Sequence, residues 1–342
     1  MSKSSTSYLL YSLCVTAPRM WDYGTFVLGC GTFGGIGGSE RLVGQGLDEC
    51  SAFATMDEAV RLGIRLFDTA ESYAGGASET MIGRWFAERG STVTELVRIT
   101  TKVAPPSPNT PGERFDGTFL EEKFSGSLAR LGVDRVEFLL IHAPDESTSI
   151  EVTLEGLEAI RASGRCRYVG ACNVNAAQIT AALEAAERLN ITGYQVVQNG
   201  FSLLRPKDDQ AVRSICAERG LAFTPFSPLA GGALTGKYER GVKPPSDSRM
   251  ALRPDGVDES LNARCVRCDR PAQRRSETAT WSRMRSTCVA WLLHHRQVTS
   301  VVTGPARRSP HLKLAAMATD ILLSDADFEQ IESWFASAAS VQ

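Results

Sequence analysis

At 342 residues and 37.0 kDa the chain exceeds an ordinary single domain but suits a closed α/β barrel folded as one unit. With 43% hydrophobic and 22% charged residues it is neither disordered nor fibrous, and no stretch nears the ~20 apolar residues of a membrane span. A net charge of -2 and a pI near 6.2 remove the electrostatic motive for binding nucleic acid or an anionic membrane, which leaves a small molecule as the expected partner.

The nine cysteines are odd in number and scattered, which argues against a disulfide framework and for a reducing, cytoplasmic setting. Lys3 followed by the apolar run Tyr8 to Val15 imitates a secretory signal, but the run is short and interrupted by polar residues. Residues 1–25 carry no clear element, and residues 26–342 read as one domain.

From residue 26 short β-branched runs recur, each followed by apolar residues at helical spacing. The expected strands are Phe26 to Gly31, Leu66 to Thr69, Arg98 to Val103, Val136 to His142, Tyr168 to Asn173, Val196 to Phe201, Ala222 to Ser227 and Val298 to Gly304. Between them lie helix patterns such as MDEAVRLG, ASETMIGRWFAERG and AAQITAALEAAERL, several ending at a glycine suited to the left-handed C-terminal position, as at Gly63, Gly90, Gly132 and Gly164. Short apolar strands separated by helices imply a parallel sheet buried on both faces, either a closed barrel or a doubly wound open sheet. The polar residues decide for the barrel. Asp68, Lys102, His142, Asn173, Gln198 and Ser227 all stand where strands end, and in a barrel those ends converge on one mouth.

Two stretches break the rhythm. Residues 239–260 read as a long mouth loop, and the shorter Pro105 to Gly112 as a second one. In residues 263–287 the fold calls for an amphipathic helix, yet the segment is arginine-rich, contains Pro271 and has few apolar residues at helical spacing. Cys265 and Cys268 form a C-x-x-C there, but no second ligand pair accompanies them and no metal is expected. A further helix is expected at the C-terminus.

The run Gly29-x-Gly31-x-x-Gly34 formally matches a dinucleotide fingerprint, but it continues glycine-rich instead of opening a helix, so a tight loop is expected. More specific is Asp68 at a strand end with Tyr73 five residues on. A phenol titrates near pH 10, and an ammonium within hydrogen-bonding reach stabilises its phenolate. Lys102, in the buried-looking Thr100-Thr101-Lys102-Val103, supplies that charge and needs a partner of its own, for which Asp68 is placed. His142, after Phe138 to Ile141, reaches the same mouth and could orient a carbonyl oxygen or donate the proton itself.

The ordered runs DTAESY, TTKV, LLIHAPD, GACN, VVQNGFSLL, PFSPLAGGALTGKY and AWLLHHRQVTSVVTG, over residues 26–240 and 289–304, resemble the aldo-keto reductase superfamily. The resemblance implies a (β/α)8 TIM barrel that binds NADPH without a Rossmann domain and reduces an aldehyde or ketone. It implies that Tyr73 is the acid, Asp68 and Lys102 its tuning pair and His142 the substrate-orienting partner. Asn173 and Gln198 would hold the nicotinamide carboxamide, Phe226 would stack on the ring, Leu229, Gly231 and Leu234 would pass their backbone close to the pyrophosphate, and Ser227 would also bind the cofactor. Gly31, Thr32, Phe33 and Gly304 would border the cofactor, and Arg307 with Arg308 would meet a 2'-phosphate, favouring NADPH over NADH. Three departures stand out. Cys172 replaces the serine before the asparagine, Lys313-Leu314 stand near an acidic-asparagine adenine pair, and the opening β-hairpin of the barrel floor is missing from residues 1–25. Two other functions fit parts of the pattern: a cofactor-binding regulatory subunit resembling those of ion channels, and a Schiff-base aldolase using Lys102. Neither substrate identity nor oligomeric state is legible.

Overall fold

The computed structural model describes residues 21–104, 115–204, 210–238, 242–246, 248–252, 277–305 and 311–336. Eight parallel strands form one sheet: β1 (Phe26–Gly29), β2 (Leu66–Asp68), β3 (Arg98–Val103), β4 (Val136–Ile141), β5 (Cys166–Cys172), β6 (Val196–Gln198), β7 (Ala222–Phe223) and β8 (Val301–Thr303). Neighbours in sequence are neighbours in the sheet, and β8 pairs with β1. The ring closes between β7 and β8, where the Thr299 N–H donates to Phe223 O at 2.8 Å and the Val302 N–H to Pro225 O at 2.9 Å. The fold is thus the (β/α)8 barrel and not the open sheet.

Side-chain parity along the strands divides the core in two. Phe67, Ile99, Leu139, Val169, Val197, Phe223 and Val301 join the large cluster under the helices, whereas Leu66, Phe138, Leu140, Tyr168, Val196, Ala222 and Val302 form a separate cluster inside the barrel. Continuing the inward parity upward leads to Asp68, Lys102, His142, Cys172 and Gln198, so one register sets both the inner packing and the mouth. β7 is shorter than its apolar run because Pro225 has no N–H to give and Ser227 has a φ of 58°. At the opposite end Trp21 and Tyr23 pack on Phe138, with ring centroids 5.5 and 5.2 Å away, and the Tyr23 hydroxyl donates to Glu137 at 2.5 Å. Aromatic side chains from residues 21–23 therefore cover the barrel floor; residues 1–20 lie outside the described residues.

The helices are α1 (Glu49–Arg61), α2 (Ala77–Arg89), α3 (Gly117–Leu131), α4 (Ile150–Ala162), α5 (Ala176–Leu189), α6 (Gln210–Arg219), α7 (Glu277–His294), α8 (His311–Ala316) and α9 (Asp325–Ala336), with single turns at Ser91–Thr94 and Arg249–Leu252. Asp48 and Asp116 cap α1 and α3 through their carboxylates, and Asn175 with Gln178 makes a reciprocal capping box on α5. Gly63, Gly90, Gly132 and Gly164 all take positive φ at helix ends. The helix missing from the pattern of residues 263–287 exists in part, as α7 begins at Glu277, while residues 263–276, Cys265 and Cys268 among them, lie outside the described residues. The expected loop 239–260 contains the Arg249–Leu252 turn, anchored by buried Met250. No helix among the described residues is long and apolar enough to cross a membrane.

The expected C-terminal helix is α9. Its Phe328 stacks on Trp291 of α7 at 5.7 Å and meets the edge of His295 at 5.0 Å. Burial, aided by the positive charge of Arg213, pushes the His295 imidazole down to about 3. In the unfolded chain this group takes up a proton near pH 6.5, so stability is intact above that pH and is lost as pH falls toward 3. Denaturation monitored from pH 7 to pH 4 should show a decline to which His295 contributes up to about 1.4 kcal/mol per pH unit, and His295→Leu should flatten it.

Candidate active site

The site begins with a buried charge. Lys102 on β3 is 0% exposed, and its Nζ donates to Asp68 Oδ1 at 2.6 Å, to Thr69 O at 2.8 Å and to the Tyr73 hydroxyl oxygen at 3.2 Å. All three ammonium hydrogens are thereby used. The second Asp68 oxygen accepts from Gln198 Nε2 at 2.8 Å. Burial alone would push Lys102 down, but Asp68 and the Tyr73 phenol outweigh it and hold the ammonium above its ordinary value.

Tyr73 sits on a tight turn after β2 in which Ala74, Gly75 and Gly76 have φ of 51°, 62° and 90°. Gly76 is required twice over, since a Cβ there would be strained and would fall 2.8 Å from Arg130 Cδ. The first residues of α2 fasten this turn to the barrel. Ser78 Oγ lies 2.8 Å from Thr69 Oγ1 and donates to Cys30 O, while fully buried Glu79 accepts from Thr101 Oγ1 at 2.5 Å and from Arg130 Nε at 2.7 Å. Thr101 precedes Lys102, so the segment carrying the phenol and the strand carrying the ammonium share one buried carboxylate.

Because Tyr73 accepts from Lys102, its own hydrogen is left to point elsewhere, and Tyr73 lines the mouth cavity. Burial lifts the phenol to about 12, with Lys102 pulling it down and Asp68 pushing it up. The ammonium therefore limits the rise instead of making the phenol unusually acidic, and Tyr73 is a neutral donor at physiological pH. His142 meets the Tyr73 ring edge-on with centroids 5.4 Å apart. Burial, then the Lys102 charge, drops its imidazole to about 3, so it is a neutral hydrogen-bonding group.

The cavity measures about 520 Å³, within the ordinary range for small-molecule sites. Of the residues expected there, Gly31, Thr32, Asp68, Tyr73, His142, Asn173, Gln198, Phe226, Ser227, Leu229, Gly231 and Gly304 line it. Lys102 stands directly behind Asp68 and Tyr73. Phe33 and Leu234 do not line it; their side chains are buried in the core beneath the helices. Arg307 and Arg308 lie outside the described residues. Cys172 contacts Gln198 Oε1 only weakly, at 3.8 Å, and accepts from Asn173 Nδ2 at 3.4 Å, as expected for a thiol in a hydroxyl's place. Asn173 Nδ2 also donates to His142 O at 2.8 Å, which leaves Oδ1 without a partner among the described residues.

Sequence reasoning missed Lys237 and Arg249, the lysine and arginine that line the cavity beside Gly231 and Gly232. The lysine lies within the glycine-rich PLAGGALTGKY, which was a usable signal; the arginine lies in residues 239–260, read as a long mouth loop. It also missed Ser72, whose Oγ is 3.2 Å from His142 Nδ1.

With this geometry in place, comparison with known proteins is decisive. The family model described as "Aldo/keto reductase family" matches residues 27–335. The chain belongs to the aldo/keto reductase family. It is 34% identical over 252 residues to a probable voltage-gated potassium channel subunit beta of Arabidopsis thaliana, covering 72% of this chain and 75% of that one. It is 31% identical to the uncharacterized oxidoreductase YrpG of Bacillus subtilis, covering 82% and 85%, and 28% identical to an L-glyceraldehyde 3-phosphate reductase of Escherichia coli, covering 83% of each. General aldo/keto reductase oxidoreduction is the chemistry these relationships support.

A buried ion pair loses most when one partner is removed and the other is left alone. Lys102→Met should lower stability by about 3–5 kcal/mol in chemical denaturation, and adding Asp68→Asn should recover part of the loss.

Proposed function

We propose that this aldo/keto reductase uses NADPH to reduce an aldehyde or ketone to an alcohol. The observation that carries this reading is the hydrogen-bonded set Asp68–Lys102–Tyr73, its phenol hydrogen unclaimed and facing a cavity of ligand size. When bound, the cofactor supplies a hydride. Tyr73 donates the proton to the carbonyl oxygen as that oxygen becomes an alkoxide, Lys102 stabilises the resulting phenolate, and Asp68 keeps Lys102 charged. His142 orients the carbonyl by a neutral hydrogen bond.

The wall residues fit the cofactor chemically. Asn173 Oδ1 and Gln198 Oε1 are acceptors for a carboxamide N–H, and Phe226 offers an aromatic face or edge to a flat ring. Lys237 and Arg249 beside the Gly231-Gly232 turn suit phosphate oxygens. That the phosphorylated form is used rests on the expectation for Arg307 and Arg308, because a pyrophosphate near Lys237 and Arg249 is common to both forms of the cofactor.

The aldolase reading is not favoured, because the Lys102 amine is protonated, has three partners and is sealed behind Tyr73. A regulatory role without turnover draws on the relative named as a channel subunit and is separated by activity alone. Tyr73→Phe should lower NADPH-dependent reduction of a reactive aldehyde by about 10²–10⁴-fold while leaving NADPH-induced quenching of tryptophan fluorescence unchanged. Parent protein that binds NADPH yet turns over no carbonyl in a broad screen would favour the regulatory role. Lys237→Ala and Arg249→Ala should each weaken NADPH binding about tenfold.

A further inference from the structure

An imidazole that is to hydrogen-bond a carbonyl must carry its proton on the nitrogen that faces the carbonyl, and neutral histidine has two tautomers to choose from. Three contacts hold His142. Its backbone N–H donates to Val103 O at 2.7 Å, its carbonyl accepts from Asn173 Nδ2 at 2.8 Å, and its Nδ1 lies 3.2 Å from Ser72 Oγ. With Nδ1 engaged by Ser72, Nε2 is the nitrogen left for the cavity, and it makes no hydrogen bond to a described residue.

Ser72 is not a cavity-lining residue. Its hydroxyl meets the ring at Nδ1, and Gly38 lies close against it, where a Cβ would fall 3.2 Å from Ser72 Oγ. The Ser72 carbonyl accepts from the Gly75 N–H at 3.3 Å, inside the same left-handed turn that sets Tyr73. The hydroxyl has one hydrogen, and the acceptor it meets among the described residues is His142 Nδ1. A hydroxyl that donated nowhere, while accepting from an Nδ1–H, would leave its own hydrogen without an acceptor in a site closed by ligand, and would leave Nε2 a bare acceptor facing the carbonyl oxygen.

We propose that Ser72 is a positioning residue that fixes His142 in the Nε2–H tautomer, so that the imidazole presents a donor to the substrate oxygen while Tyr73 holds the transferable proton. The Ser72 hydroxyl donates to Nδ1, Nε2 keeps the ring hydrogen, and no net charge enters the site. This assignment rests on the reading of the site as carbonyl-binding, but the tautomer is a property of the free protein. Its measurement is separate from turnover.

The test is 15N NMR of imidazole-labelled protein, which holds four histidines, with the His142 signals assigned by their disappearance in His142→Gln. The expected spectrum has a protonated Nε2 and an unprotonated Nδ1 at neutral pH. In Ser72→Ala the two tautomers should mix and kcat for a reactive aldehyde should fall about tenfold with NADPH affinity unchanged, while Ser72→Thr should restore both the signature and the rate. A parent spectrum with the proton on Nδ1, or a Ser72→Ala spectrum identical to the parent's, overturns the proposal. Should Ser72→Ala fail to fold, the parent spectrum alone decides. Absence of any turnover with the expected tautomer present would instead count against the carbonyl-reductase reading.

Discussion

A fully buried ammonium is the constraint from which the rest of the site follows. Removing Lys102 from water costs several kcal/mol, which only a close carboxylate and a complete set of acceptors offset. Asp68 at the end of the neighbouring strand β2, the Thr69 carbonyl and the Tyr73 oxygen are that set. Once the barrel register places Lys102 inward, the positions of Asp68 and Tyr73 are no longer independent. Glu79 reinforces the link by joining α2 to the residue that precedes Lys102. Charge burial, usually a burden on stability, here specifies geometry.

Around that centre the barrel and the loops do different things. Strand parity delivers rigid polar groups to the mouth, and the glycine-rich turns after β1 and β7 contribute Gly31, Gly37, Gly38, Gly231 and Gly232 to the cavity wall. Lys237 and Arg249 stand on that wall, whereas near Tyr73 and His142 the charge is confined to Asp68 and the buried Lys102 that pairs with it. The cofactor proposed above, charged at its phosphates and flat at its polar ring, suits this division. It agrees with the family to which the chain belongs.

The strands, the barrel and the four central residues were legible because each rests on a local rule: short apolar runs, period-two alternation, and a polar residue where each run ends. Phe33 and Leu234 were expected beside the cofactor, Leu234 through its backbone, and motif position did not reveal that both side chains turn away from the cavity. Phe33 turns into the core, and Leu234 lies buried beneath the glycine turn it follows. Arg249 and Ser72 were missed for another reason. Their importance arises from contacts between segments distant in sequence, as between Ser72 and His142, and no periodicity encodes such a meeting. Among the described residues the floor contacts come from two aromatic side chains, Trp21 and Tyr23 on Phe138, which no sequence pattern announces.

Two groups at the mouth could in principle hand over a proton, and their environments separate them. Burial keeps Tyr73 protonated up to about 12 and keeps His142 unprotonated down to about 3. Between those limits the phenol is a donor with a proton to give, and the imidazole has no surplus proton. The pH dependence of the reduction rate at saturating cofactor therefore tests the account most directly. If Tyr73 is the acid, the rate stays level from about pH 5 to about pH 9 and declines only on the alkaline side, as the phenol deprotonates. A rate that instead falls through an inflection near about pH 6.5, as a protonated imidazole loses its charge, would contradict it.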